Sequence, residues 1–295
     1  MSFKKYIASP TRTKEILSTY EFVFKKSLGQ NFIIDANVLK NMIHYANIHE
    51  HSGVIEVGPG IGALTEQLAI HAKKVVAYEV DQRLLPILQD TLQAYNNIHI
   101  IHQDILQANL HADIKVHFSN IEDIHIVANL PYYITSPIMM SLLQAKLPVK
   151  NMTMMLQKEV AERIIAHPNN KDYGSLSVIV QYFSDVEKVM QISPHVFLPQ
   201  PKVDSSILKL TLRNEPPVQV SNESYFFSFV RACFANRRKT LRNNLRSYFK
   251  KLLTKTTIDH ILKTTGIDGQ RRGESLTIND FAQLANAFYA VTKTS

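Results

Sequence analysis

Short apolar runs alternate with helically spaced apolar residues over the first half of the chain. Val54-Ile55-Glu56-Val57 reads as a buried strand, and Gly58-Pro59-Gly60 stops it. Leu64, Leu68 and Ala72 mark a helix after it. Val75 to Tyr78 is a second strand ending at Glu79, and Leu84, Leu85 and Leu88 lie on the next helix. Ile98 to Ile101 is a third strand, followed by Asp104. Ile124 to Ala128 is a fourth, stopped by Asn129-Leu130-Pro131. A helix from Asp35, with Val38, Leu39, Met42, Ile43 and Ala46 in register, precedes the series. This alternation predicts a parallel sheet covered by helices on both faces.

The pattern then changes. Met152 to Leu156 reads as a strand, with Val160 and Ile164 on the following helix. Ser177–Phe183, Val186–Ile192 and Ser205–Leu212 read as strands too close together for crossover helices. Part of the sheet's edge is therefore expected to be antiparallel. Glu215-Pro216-Pro217 is a linker, and beyond it the apolar spacing is helical: Phe226, Phe229, Val230 and Cys233, then Leu241 and Leu245, then Ile258 to Leu262, then Phe281 to Phe288. The division this predicts is a poorly ordered arm over 1–26, an α/β domain over 27–213 and a small all-α domain over 217–295. Cys233 falls on an apolar helix face and is expected in the core.

Composition narrows the class. One cysteine in 295 residues excludes a disulfide framework and any cysteine-based zinc site. His44, His49 and His51 match no ligand spacing, so no metal is expected. No stretch is long and apolar enough to span a membrane, and the first residues lack the apolar core of a signal peptide. A cytoplasmic protein is expected.

The net charge of +8 is unevenly placed: +4 over 1–26, −5 over 27–200 and +9 over 201–295. Arg231, Arg237, Arg238, Lys239, Arg242, Arg246, Lys250 and Lys251 follow one another with no acid between them. The spacings of Arg231, Arg238, Arg242 and Arg246 predict one basic helical stripe, an electrostatic footprint for nucleic acid.

Two motifs carry chemistry. The first is the strand-to-glycine junction Glu56-Val57-Gly58-Pro59-Gly60-Ile61-Gly62, with Glu79 following at the end of the next strand and Asp104 at the end of the third. Glycines let the backbone turn sharply and approach a ligand, and an acid about 20 residues on suits ribose hydroxyls. A nucleoside-containing cofactor is expected. Glu56 is poor company for a pyrophosphate but suits a ligand with cationic groups, as S-adenosylmethionine has. The second motif is Asn129-Leu130-Pro131-Tyr132. A side-chain amide oxygen and a carbonyl held before proline can accept from an exocyclic amine, and the aromatic can stack on its base.

With these motifs the chain resembles the ribosomal RNA adenine dimethyltransferases. More narrowly, it is similar to the bacterial branch that dimethylates two adjacent adenosines near the 3′ end of 16S rRNA. Leu28-Gly29-Gln30-Asn31-Phe32, Leu156 to Val160, Tyr173 to Ser177, Phe197 to Ser205 and Asn236 to Thr240 carry the resemblance further. It implies a Rossmann-like methyltransferase sheet with S-adenosylmethionine as cofactor. It implies that Asn31 and Ile33 line the cofactor site, Gly58 and Gly60 meet the methionine part, Glu79 binds the ribose and Asp104 the adenine amine. Asn129 and Leu130 would hold the target amine and Tyr132 stack on the flipped base. The implied partner is 16S rRNA in the immature small subunit, engaged by a monomer. A large-subunit adenine methyltransferase and a non-catalytic assembly factor are the alternatives.

Overall fold

The computed structural model describes residues 6–25 and 29–293. The expected boundary at 26–27, and Leu28, lie outside the described residues. Two compact units emerge: Met1–Ala161 with Val186–Leu212, and Glu162–Asp185 with Arg213–Ser295.

The first unit begins with a correction. Residues expected to form a disordered arm hold helix α1 (Pro10–Thr19), capped by the Ser9 side chain with proline in its first turn. Ile7, Ala8, Ile16 and Leu17 are buried in the same apolar cluster as Ile33, Leu39 and Leu64. This burial offsets the ordering entropy that a purely basic tail could not.

Strand β1 (Phe32–Ile33), helix α2 (Ala36–Tyr45), β2 (Gly53–Val57), α3 (Ala63–His71), β3 (Lys74–Glu79), α4 (Leu85–Thr91), β4 (Ile98–His102), α5 (Leu110–His117), β5 (Ile124–Asn129), α6 (Thr135–Gln144), β6 (Asn151–Gln157) and α7 (Lys158–Ile165) follow, and the sequence pattern predicts all of them except β1, α5 and α6. β2 is buried along its whole length, as a central parallel strand under helices must be, whereas edge strand β4 is partly exposed.

Ser177–Phe183, expected as a strand, instead belongs to helix α8 (Ser175–Phe183). The Gly174 N–H donates to Ser177 Oγ at 3.0 Å, which anchors its first turn. Its apolar residues fit a helix because they are enclosed on several sides: Tyr182 packs on Phe226 and Phe227, with ring centroids 5.3 and 5.4 Å away. These contacts lie within the second unit, so 162–185 falls outside the domain expected over 27–213.

Strands β7 (Ser184–Ile192), from Val186 onward, β8 (Phe197–Leu198) and β9 (Ser205–Leu212) return to the first unit. Its seven-stranded sheet has the order β4-β3-β2-β5-β6-β9-β7. The pairs β4–β3, β3–β2, β2–β5 and β5–β6 are parallel and β6–β9 is antiparallel. The mostly parallel sheet with an antiparallel edge is thus present. β1 and β8 form a separate antiparallel pair.

In the second unit, α9 (Glu223–Cys233), α10 (Leu241–Tyr248), α11 (Lys255–Thr264) and α12 (Ile278–Lys293) surround Phe226, Phe229, Phe249, Phe281 and Phe288, all fully buried. Phe249 and Phe288 stack with centroids 4.9 Å apart. Cys233 is buried as expected, and burial pushes its thiol pKa up, away from reactive thiolate.

Candidate active site

The strand order makes β2 and β5 neighbours whose onward connections lead in opposite directions. Open α/β sheets bind ligands in the crevice at such a reversal, off the carboxyl ends of the strands. A cleft lies there, and every residue expected to hold a cofactor lines it except Glu56. Leu130 and Tyr132 line it too.

The turn after β2 forms one wall. Gly58 and Gly60 have φ of 72° and 60°, in the left-handed region that glycine adopts without penalty. A Cβ on Gly60 would come within 2.9 Å of the Phe32 ring, whereas one on Gly58 would meet nothing within 4 Å. Gly60 is needed for packing as well as conformation. Gly58 presents bare backbone to open space.

Glu79 ends β3 at 5% exposure. Its Oε1 accepts the Asp81 N–H at 2.7 Å and its Oε2 the Gly60 N–H at 3.3 Å, so the carboxylate is aimed by backbone alone. Burial raises its pKa, and these N–H donors pull it back toward the charged form. Asp104 is half-buried and uses Oδ1 to cap a single turn through the Leu106 N–H at 3.0 Å.

Asn129 ends β5. Its Nδ2 donates to the Asn31 carbonyl at 3.3 Å, which leaves Oδ1 as its free acceptor. Leu130 is buried and its N–H donates to the Met155 carbonyl on β6 at 3.2 Å. The Pro131 carbonyl is occupied, by the Ile134 N–H and the Thr135 hydroxyl. The Tyr132 hydroxyl lies 2.7 Å from the Oγ of Ser205, a fully buried residue at the start of β9. Burial raises the Tyr132 pKa against the opposing pull of Ser205, so the ring stays a neutral phenol.

Glu56 is elsewhere. It is fully buried in the middle of β2, and neither carboxylate oxygen has a hydrogen-bond partner. Alternation along the strand turns it away from the cleft that Val57 lines. Burial pushes its pKa up to about 8; the nearby Thr65 hydroxyl opposes the shift and the Glu79 charge adds to it. Sequence reasoning also left Gln30, Phe32, Gln103 and Ile105 without a site role, although all line the cleft. Their signal was adjacency: two flank Asn31 and two flank Asp104.

In the second unit the basic stripe is not one helix. Arg231 lies in the last turn of α9, Arg237, Arg238 and Lys239 lie in the turn beyond it, and Thr240 caps α10 anew. Asn236 Oδ1 accepts the Arg238 N–H at 3.1 Å and stabilises that turn. Nor are the cations uncompensated. Arg242 and Arg246 reach Asp259 on α11 at 3.3 and 2.6 Å, and Arg237 bonds the Lys171 carbonyl and lies 3.8 Å from Glu274. Arg231, Arg238 and Lys239 are exposed.

Comparison with known proteins agrees with this geometry. The profile of the family described as ribosomal RNA adenine dimethylase matches residues 21–286. A ribosomal RNA small subunit methyltransferase A from Oceanobacillus iheyensis is 58% identical over 98% of both chains. One from Geobacillus sp. (strain WCH70) is 55% identical over 97% of this chain and 99% of its own. Among solved structures, a dimethyladenosine transferase from Plasmodium falciparum superposes with a TM-score of 0.70 at 27% identity, covering 86% of this chain and 95% of its own. The 23S rRNA methyltransferase ErmE gives a TM-score of 0.62 at 27% identity, covering 87% and 98%. The chain belongs to the ribosomal RNA adenine dimethylase family.

Proposed function

We propose that the protein transfers methyl groups from S-adenosylmethionine to the exocyclic amines of two adjacent adenosines near the 3′ end of 16S rRNA, in the immature small subunit. It acts as a cytoplasmic monomer. Among the described residues no helix is long and apolar enough to cross a membrane. The observation that carries the reading is the placement of Asn129, Leu130 and Tyr132 on the same cleft as Glu79 and Asp104.

The cleft suits this cofactor. Among the described residues that line it there is no lysine, arginine or histidine, so nothing there complements a pyrophosphate. The carboxylates of Glu79 and Asp104 instead complement ribose hydroxyls and an adenine amine. The bare backbone of Gly58 leaves room for the methionine part. Buried Glu56, in β2 before that turn, makes no direct contact with the cleft, and its raised pKa keeps it an uncharged acid at neutral pH.

When bound, S-adenosylmethionine supplies a methyl group on a sulfonium, already a good electrophile. Asn129 Oδ1 and the Leu130 carbonyl hold the target amine by its two hydrogens. That orients its lone pair along the line of transfer, and such positioning supplies most of the acceleration. The Tyr132 ring stacks on the flipped adenine, held in place by Ser205. No base is needed before transfer: the nitrogen becomes cationic as it attacks and loses its proton afterwards. The monomethyl product keeps one hydrogen for one acceptor, so a second transfer proceeds in the same pocket.

The identity to small-subunit relatives is about twice that to ErmE, which favours the small-subunit substrate. Calorimetry with S-adenosylmethionine separates the enzyme from a pure assembly factor. Micromolar binding supports the reading, and absence of binding rejects it.

A further inference from the structure

The N-terminal segment has a helix and a share of the core, yet no part in the chemistry above. Its two ends are anchored differently. At the far end, the Ile7 N–H donates to Glu66 Oε2 at 2.8 Å, and the Thr13 hydroxyl returns to the Ile7 carbonyl at 2.9 Å. At the near end, Arg83, just past β3, donates Nη1 to the Val23 carbonyl at 2.8 Å. The same guanidinium lies over the Phe22 ring, 4.9 Å from its centroid.

Arg83 also grips Asp81 through Nε and Nη2, at 2.9 and 2.5 Å. Asp81 is 5% exposed. It accepts from Gln30 Nε2 at 2.8 Å, and its backbone N–H is the 2.7 Å donor to Glu79. Gln30 Oε1 in turn accepts the Lys25 N–H at 3.1 Å. One buried residue, Asp81, thus joins two cleft residues to the chain at 22–25, Gln30 through its carboxylate and Glu79 through its backbone N–H. A second connection is apolar. Phe22 and Phe24 pack on Phe32 with centroids 5.8 and 5.5 Å away, and Phe32 is the ring that closes over Gly60.

We propose that residues 22–25 are a strap that holds the Gln30–Phe32 wall of the cleft against the glycine turn, with Arg83 and Phe22 as positioning residues for the cofactor. The inference rests on the assignment of this cleft to S-adenosylmethionine. The wall needs such support. It continues into β1, two residues long and paired only with β8 in its sheet, and a two-stranded ribbon is marginal by itself. Arginine is required because one planar group must serve a carboxylate and a carbonyl in different directions, which the single ammonium of lysine does poorly. The far anchor's hydrogen bonds run to Glu66 and within the segment, not to a cleft residue, so that anchor is assigned to stability.

The test is calorimetric binding of S-adenosylmethionine to the full chain, with steady-state methylation and thermal melts alongside. Arg83→Met is expected to weaken binding about tenfold and Phe22→Leu about threefold, the effect of lost preorganisation. KM for the cofactor rises while kcat at saturation stays within about twofold. Thr13→Ala lowers the melting temperature and leaves affinity unchanged. If Arg83→Met and Phe22→Leu bind as the wild type does, the strap is refuted and the cleft assignment survives. If the wild type does not bind, the cleft assignment falls and the strap with it. Should Arg83→Met fail to fold, Phe22→Leu decides by hydrogen exchange at 29–33: faster exchange supports the strap, and unchanged protection refutes it.

Discussion

Asn129 and Asn31, 98 residues apart in sequence, are joined by a 3.3 Å hydrogen bond from side-chain amide to backbone carbonyl. That bond decides which way the Asn129 amide faces, because the donor nitrogen is spent on Asn31. Asn129→Asp keeps the size but turns the contact into carboxylate against carbonyl, which repels. Methylation is expected to fall at least about a hundredfold, the scale of losing one aimed polar group at a reacting centre. S-adenosylmethionine affinity should fall less, and single-turnover rates with calorimetry distinguish the two. Equal losses in both would place Asn129 in cofactor binding alone.

Tyr132 is predicted to act through its ring. Tyr132→Phe loses only the 2.7 Å bond to Ser205, worth about 1 kcal/mol and so a few-fold in rate. Tyr132→Ala loses the stacking face, worth about 1–3 kcal/mol per base, and should cost ten- to a hundredfold or more. Cofactor binding should survive both changes. Full methylation by Tyr132→Ala would refute the stacking role.

Glu56 makes stability depend on pH. Its folded pKa of about 8 lies above its ordinary value of 4.5, so between those limits the folded state holds a proton that the unfolded state has released. Stability therefore falls as pH rises through that window, at up to about 1.4 kcal/mol per unit. Glu56→Gln keeps the shape without the ionisation. Its denaturation free energy should match the wild type below about pH 4.5, where Glu56 is protonated in both states, and exceed it by pH 8. Parallel pH profiles for the two proteins would show that Glu56 does not titrate in this way.

The basic residues of the second unit are predicted to divide by task. Arg238→Ala with Lys239→Ala removes exposed cations. RNA affinity should drop, with the slope against log salt shallower by about two and the melting temperature unchanged. Arg246→Ala breaks the bond to Asp259. It should lower stability by about 1 kcal/mol or less, since both partners are partly exposed. Filter binding across a salt series, paired with melts, checks both.

The parallel core was legible because its strands announce themselves as short apolar runs, with glycine stopping β2 and proline following β5. Glu79, Asp104 and Asn129 were legible because each falls at the end of a run. Three features were harder to read. The run Val178-Ile179-Val180 has strand-like composition, yet α8 is enclosed by aromatic side chains more than forty residues away, which no local pattern shows. The arm's charge masked a helix whose start, Ser9-Pro10, was written in the sequence. The cationic stripe was read with its acid missing because Asp259 comes from the next helix. In the same way Glu56 was assigned to the cofactor by its place in the motif, although alternation along β2 turns it into the interior.

The proposed activity of this cleft is dimethylation of adenine amines in small-subunit RNA. The most direct measurement is nucleoside mass spectrometry of rRNA after incubation with the protein and S-adenosylmethionine, using under-methylated small subunits with large subunits alongside. N6,N6-dimethyladenosine is expected at two adjacent positions near the 3′ end of 16S rRNA, and none in 23S rRNA. Unmodified 16S rRNA, or methylation confined to the large subunit, would contradict it.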